Sequence, residues 1–171
     1  MLLNKMLMCI TGGIALEKEK WMEQAVNVAY ENVKSAHGGP FGAIVVKDGV
    51  VIGTGRNEVT SLLDPTAHAE VQAIREACRH LNHYQLDDCD IYTSCEPCPM
   101  CIGAIYWARP RAVYYACTKE DASAVGFDDR FIYEEIALPM EERSIKMARI
   151  YPPEGDKPFR AWERSDVKIE Y

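Results

Sequence analysis

The sequence predicts an α/β fold, a sheet with parallel strand pairs and helices on its faces. Three observations predict it. Two β-rich arms flank Asp48-Gly49 in "FGAIVVKDGVVIGTG". Further on, the short β-rich runs "DIYTS" and "RAVYYAC" alternate with helical segments. Those segments carry their apolar residues in stripes at three- and four-residue spacing. Strands that alternate with helices imply crossover connections, and so parallel pairs.

The elements follow in order. Trp21, Ala25, Val28, Ala29 and Val33 recur at helical spacing. Their helix stops near "HGGP", His37 to Pro40, where two glycines and a proline break it. Next comes the hairpin, whose Asp48-Gly49 dipeptide suits a type I′ turn. In "DPTAHAEVQAIREACRHL", Val71, Ile74, Cys78 and Leu81 form one apolar stripe. Asp64 or Thr66 is the expected cap of that helix, with Pro65 in its first turn. Either choice puts His68 at the helix start. The strand "DIYTS" precedes a helix that Pro97 is expected to open, "CPMCIGAIYWA", and "RAVYYAC" is the next strand. "PPEGDKP", Pro152 to Pro158, reads as a stiff polar connector before a last amphipathic segment.

The chain has 171 residues, 48% of them hydrophobic, which fits one domain with its own core. A formal net charge of −7 is poor equipment for nucleic-acid phosphates, which call for a basic face. No apolar run approaches the length of a membrane span. Seven cysteines are an odd number, so a complete intrachain disulfide set is impossible. A chain of this size has little need of disulfides, and a reducing cytoplasm is expected. The opening "MLLNKMLMCITGGIAL" loosely mimics a signal peptide, with a weak positive region and an unconvincing cleavage site. Residues 1–20 read as a leader that packs loosely or not at all.

Chemistry concentrates in "TSCEPCPMC", where Cys95, Cys98 and Cys101 fall within seven residues. Cys98 and Cys101, three apart in the first turns of a helix, share a face. Free N–H groups and the helix dipole favour thiolate there. About thirty residues upstream stands "HAE", His68-Ala69-Glu70. His68 alone reads as a cap or surface residue, and Glu70 alone as a dipole partner. Together with P-C-x-x-C they read differently: one imidazole and two thiolates give zinc three ligands and leave one position for water. A closed site that also took Cys95 would be structural. Against it, Cys95 precedes Pro97 and lies off the helical face, and a closed site gives Glu70 no role. H-x-E…P-C-x-x-C is the signature of zinc nucleobase deaminases, in which the glutamate moves protons.

"DPTAHAEVQAIR", "LDDCDIYTSCEPCPMCIGAIYWARP" and "GFDDRFIYEEI" closely resemble the short bacterial guanine deaminases of the zinc-dependent cytidine-deaminase-like superfamily. The resemblance runs from about Trp21 to Tyr171, and the leader departs from it. It implies a three-layer α/β/α sandwich with a five-stranded mixed sheet, and conversion of guanine and water to xanthine and ammonia. It implies one catalytic zinc per subunit on His68, Cys98 and Cys101, with Glu70 as proton shuttle. Asp129 corresponds to an acidic residue near the leaving amine; on spacing alone it reads equally as a helix cap. Asn57 corresponds to a hydrogen-bonding group for the purine, and alone reads as a turn asparagine. Phe41, Ala69 and Trp107 complete the implied purine site, although a tryptophan on a helix more often belongs to a core. The implied assembly is a homodimer, with a deaminase core at 21–151 and a C-terminal segment, 152–171, swapped between subunits. Tyr171 would then cap the partner's site; alone it reads as a frayed terminus. A tRNA adenosine or cytosine deaminase, or a non-catalytic zinc scaffold, are the competing readings.

Overall fold

Strands β1 (Gly42–Lys47) and β2 (Val50–Arg56) form the expected hairpin. Lys47 pairs with Val50, and between them Asp48 and Gly49 both take positive φ, 50° and 73°. That is the backbone a type I′ turn demands. β3 (Cys89–Cys95) pairs antiparallel with β1, and β4 (Ala112–Cys117) pairs parallel with β3. The sheet order is β2-β1-β3-β4. The computed structural model describes residues 2–171, with side chains from residue 16 onward.

Helices cover both faces. Alternation along β1 sends Ala43 and Val45 to one side and Ile44 and Val46 to the other. On the first side they join Ile91, Ala73 and Ala77 of α3 (Ala69–Leu81), and Ile105 of α4 (Pro99–Ala108). On the second they join Tyr92 and Ala25 of α1 (Leu2–Lys34). The result is the expected three-layer α/β/α arrangement. The leader expected at residues 1–20 overlaps α1; residue 1 and the side chains of residues 2–15 lie outside the described residues. Among the described residues, no helix is long and apolar enough to cross a membrane.

Helix α3 lies unusually close to its sheet. A Cβ added at Gly55 would sit 1.9 Å from Ala69 O, and one at Gly53 would sit 2.5 Å from Ala73 O. Glycines on β2 and an alanine stripe on α3, Ala69, Ala73 and Ala77, let backbone meet backbone. This contact fixes where α3 begins. The stripe expected from sequence lies beside it, with Ile74 buried and Val71, Cys78 and Leu81 only half-buried.

Two helix starts differ from expectation. α3 is capped by His68, in extended conformation with φ −75° and ψ 154°. Asp64 instead accepts from Thr66 N and Oγ1, at 2.8 and 2.7 Å, closing a turn before the helix. α4 opens at Pro99 rather than Pro97, with Cys98 as its N-cap.

The chain divides into two units, one ending at Asp129 and one running from Arg130 to Tyr171. Short helices α2 (Val59–Leu62) and α5 (Lys119–Ala124) complete the first. The second holds α6 (Arg130–Ala137), a 3-10 turn at Met140–Glu142 and α7 (Lys157–Glu163). The implied five-stranded sheet is corrected here: the described residues form four strands. A strand exists only through its ladder, and among the described residues no segment after β4 finds one.

Candidate active site

The N-termini of α3 and α4 bring three metal-binding side chains together. His68 Nδ1 is 3.5 Å from Cys98 Sγ and 3.6 Å from Cys101 Sγ, and the two sulfurs are 3.6 Å apart. Tetrahedral zinc with ordinary bond lengths separates such atoms by about 3.6 Å for N···S and about 3.8 Å for S···S. The trio therefore fits one zinc ion without rearrangement. Helix geometry explains the pairing: Cys98 is the N-cap and Cys101 the third residue of α4, positions that face each other across a first turn.

Charge at the site follows from these contacts. The Cys98 thiol is held down at about 4, chiefly by its contact with Cys101; His68 adds to this while burial opposes it. The same contact, with burial, holds the Cys101 thiol up. Cys98 likewise raises the His68 imidazole, against burial. A divalent cation at the centre of the trio displaces those protons.

Cys95 takes no part. Its Sγ donates to Thr118 O at 3.3 Å, and burial pushes its thiol up to about 11. A buried thiol engaged elsewhere is a poor ligand, since only thiolate binds metal.

Glu70, the second residue of α3, is 6% exposed. Its Oε2 accepts from Cys101 Sγ at 3.4 Å. Burial pushes its carboxyl up from the ordinary carboxylate value. A carboxyl beside a metal position is placed to take a proton and pass it on.

The zinc-binding region of the cytidine and deoxycytidylate deaminases matches residues 16–117 of this chain. The chain belongs to that family. The guanine deaminase of Bacillus subtilis (strain 168) is 56% identical over 156 residues, covering 91% of this chain and 100% of that protein. The X-ray structure of guanine deaminase from Bacillus subtilis superposes with a TM-score of 0.88 at 57% identity, covering 90% of this chain and 98% of that one. The tRNA-specific adenosine deaminase of Aquifex aeolicus (strain VF5) is 45% identical over 120 residues, 66% of this chain and 80% of that protein.

Around this deaminase centre the other expected residues divide. Ala69, fully buried, opens α3 between His68 and Glu70, where helix N–H groups have no intrahelical acceptor. Asn57 is buried at the end of β2, and its Oδ1 accepts from Gly39 N and Val59 N at 3.3 and 3.4 Å. Asp129 is half-buried; burial raises its carboxyl, and the charge on Cys98 raises it further, so it lies within electrostatic reach of the metal group. Phe41 packs edge-to-face on Phe127, with centroids 5.0 Å apart. Phe127 was not singled out from sequence; its place two residues before Asp129 was the available signal.

Two expected residues are exposed. Trp107 is 62% exposed, six residues beyond Cys101 on α4 and so about 9 Å farther along the helix axis. It is not a core tryptophan either. Tyr171 ends the second unit with an exposed side chain.

Proposed function

We infer that this chain is a zinc-dependent hydrolase that converts guanine and water to xanthine and ammonia. The observation that carries the reading is the buried carboxyl of Glu70 beside a trio that matches zinc geometry and offers no fourth protein ligand among the described residues. The match to a guanine deaminase over 91% of this chain supports the choice of base.

His68, Cys98 and Cys101 hold the ion. A zinc ion held there would bring the pKa of its bound water down to about 7 and so supply hydroxide at neutral pH. Glu70 takes the proton that the water gives up. It delivers that proton to the ring nitrogen beside the attacked carbon, then takes the remaining proton from the added hydroxyl and gives it to the departing amine as the C–N bond breaks. Asp129 accepts a hydrogen bond from the amine as it leaves. Ala69 offers its backbone N–H, Asn57 its side-chain NH₂, and Phe41 an aromatic wall.

The working form is a homodimer in which residues 152–171 cross to the partner and Tyr171 closes the partner's site. Exposed apolar side chains support this: Phe159 and Trp162 on α7, then Val167 and Ile169. Tyr106 and Trp107, exposed on α4, offer a further aromatic surface to a second subunit. Exchange of a terminal segment is a low-cost route to such dimers. The net charge of −7 argues against a nucleic-acid substrate.

Ammonia release should be measured with guanine, cytosine, adenosine and a tRNA hairpin at equal zinc loading. Release from guanine alone is expected. Release from the hairpin would move the chain to the tRNA deaminases, and zinc without ammonia from any base would leave a scaffold.

A further inference from the structure

One buried polar side chain has no place in the chemistry above. Asn32 lies near the C-terminal end of α1 and is 1% exposed. Its Nδ2 donates to Asn57 O at 2.8 Å and to Gly39 O at 2.9 Å. Two carbonyl acceptors fix the orientation of the amide, because only NH₂ can face both. Its Oδ1 is buried with no hydrogen-bond partner among the described residues. An apolar side chain would fill the same space without that unpaired acceptor, so the amide is there for what its NH₂ does.

What it does is immobilise Asn57. Asn57 N donates to Phe41 O at 3.1 Å. Asn57 O accepts from Asn32, and Asn57 Oδ1 accepts from Gly39 N and Val59 N. Gly38 presses on the same carbonyl, since an added Cβ would sit 2.1 Å from Asn57 O. Three of the four polar atoms of Asn57 are thereby used to hold it. The fourth, its NH₂, remains for a ligand.

We propose that Asn32 is a positioning residue of the substrate site: by clamping Gly39 O and Asn57 O, it aims the Asn57 amide at an acceptor on the base. The proposal rests on the reading that Asn57 donates to the substrate. It also gives "HGGP" a second role. Gly38 lets the loop fold onto Asn57, where a side chain would collide.

The test is a double-mutant cycle of Asn32→Leu, Asn57→Ala and both together. kcat and KM for guanine are read by ammonia release, alongside zinc content and thermal midpoint. Misplacement of a reacting group by about 1 Å costs on the order of 10²-fold. Each single variant is expected to lose kcat/KM on that order at unchanged zinc content. The double variant is expected to lose no more than Asn57→Ala alone, because residues acting through one contact are non-additive. Asn32→Ser, which keeps one donor in a smaller side chain, should fall between wild type and Asn32→Leu; it carries the cycle if Asn32→Leu does not fold. Losses that multiply in the double variant, or a lowered midpoint with kcat/KM within about threefold of wild type, overturn the proposal. Should Asn57→Ala itself keep full turnover, the substrate contact falls and the proposal with it. Should Asn57→Ala lose turnover while the Asn32 variants do not, only the proposal falls.

Discussion

Substituting Gly55 by alanine tests how the sheet sets the site. The new Cβ would lie 1.9 Å from Ala69 O and 2.4 Å from Ala73 N, both backbone atoms of α3. Real Cβ contacts essentially never fall below 3.0 Å, so the start of α3 must retreat by at least 1.1 Å, the difference from 1.9 Å. Ala69 is flanked by His68 and Glu70, so the ligand and the shuttle move with it. A displacement of about 1 Å costs on the order of 10²-fold in turnover. Disturbing what supports a metal ligand costs about 10–100-fold in affinity. Overpacking alone destabilises by about 1–3 kcal/mol. Zinc affinity by chelator competition, ammonia release and denaturant unfolding separate these effects. Gly53→Ala is the control: its Cβ would press on Ala73 O at 2.5 Å, one turn farther along α3. It should lower stability with a smaller effect on zinc. A Gly55→Ala protein with unchanged zinc affinity and turnover would refute the reasoning that this close approach positions the site.

The remaining predictions concern the cysteines and one helix cap. Cys95→Ala should keep one zinc per chain, whereas Cys98→Ala and Cys101→Ala should each lose it; metal analysis of the purified variants decides. Thr118 and Asp121 form a capping box at the start of α5, and Thr118→Ala should cost about 0.5–2 kcal/mol. The Thr118 N–H, donating to Asp121 at 2.8 Å, together with its hydroxyl, lowers the Asp121 carboxyl below 3.8. A carboxyl lowered on folding stabilises the folded state above its unfolded value and loses that contribution as pH falls through its folded value. Asp121→Ala should therefore be less stable than wild type at pH 7, and the gap should close below 3.8. A gap that widens in acid would be inconsistent with the assigned bonds.

Much of this was legible in the residues. Asp48-Gly49 announced its hairpin because few dipeptides accept two positive φ values in succession. His68, Glu70, Cys98 and Cys101 were readable because metal chemistry demands particular side chains at particular spacings, whatever the surrounding fold. The helix caps were misjudged for a local reason. Asp64 and Thr66 have good capping chemistry, but they satisfy each other in a turn, and the cap fell to His68. The deepest stripe of α3 escaped notice because it is built of alanines, and hydrophobic periodicity weights large side chains. Gly53 and Gly55 looked like ordinary strand residues until α3 lay against them. Asn32 was invisible for a similar reason: a lone asparagine in an amphipathic helix gives no sign of which carbonyls it will meet. Trp107 reads from sequence as core or pocket wall, and its exposure on α4 depends on packing that periodicity does not report.

The most direct measurement is turnover and metal content of Glu70→Gln. The amide fills the same space and cannot shuttle protons. One zinc per chain should remain, while ammonia release from guanine falls by about 10²–10⁴-fold, the range of general acid–base catalysis. Full zinc loading with turnover within a few fold of wild type would contradict the assignment of proton transfer to this carboxyl.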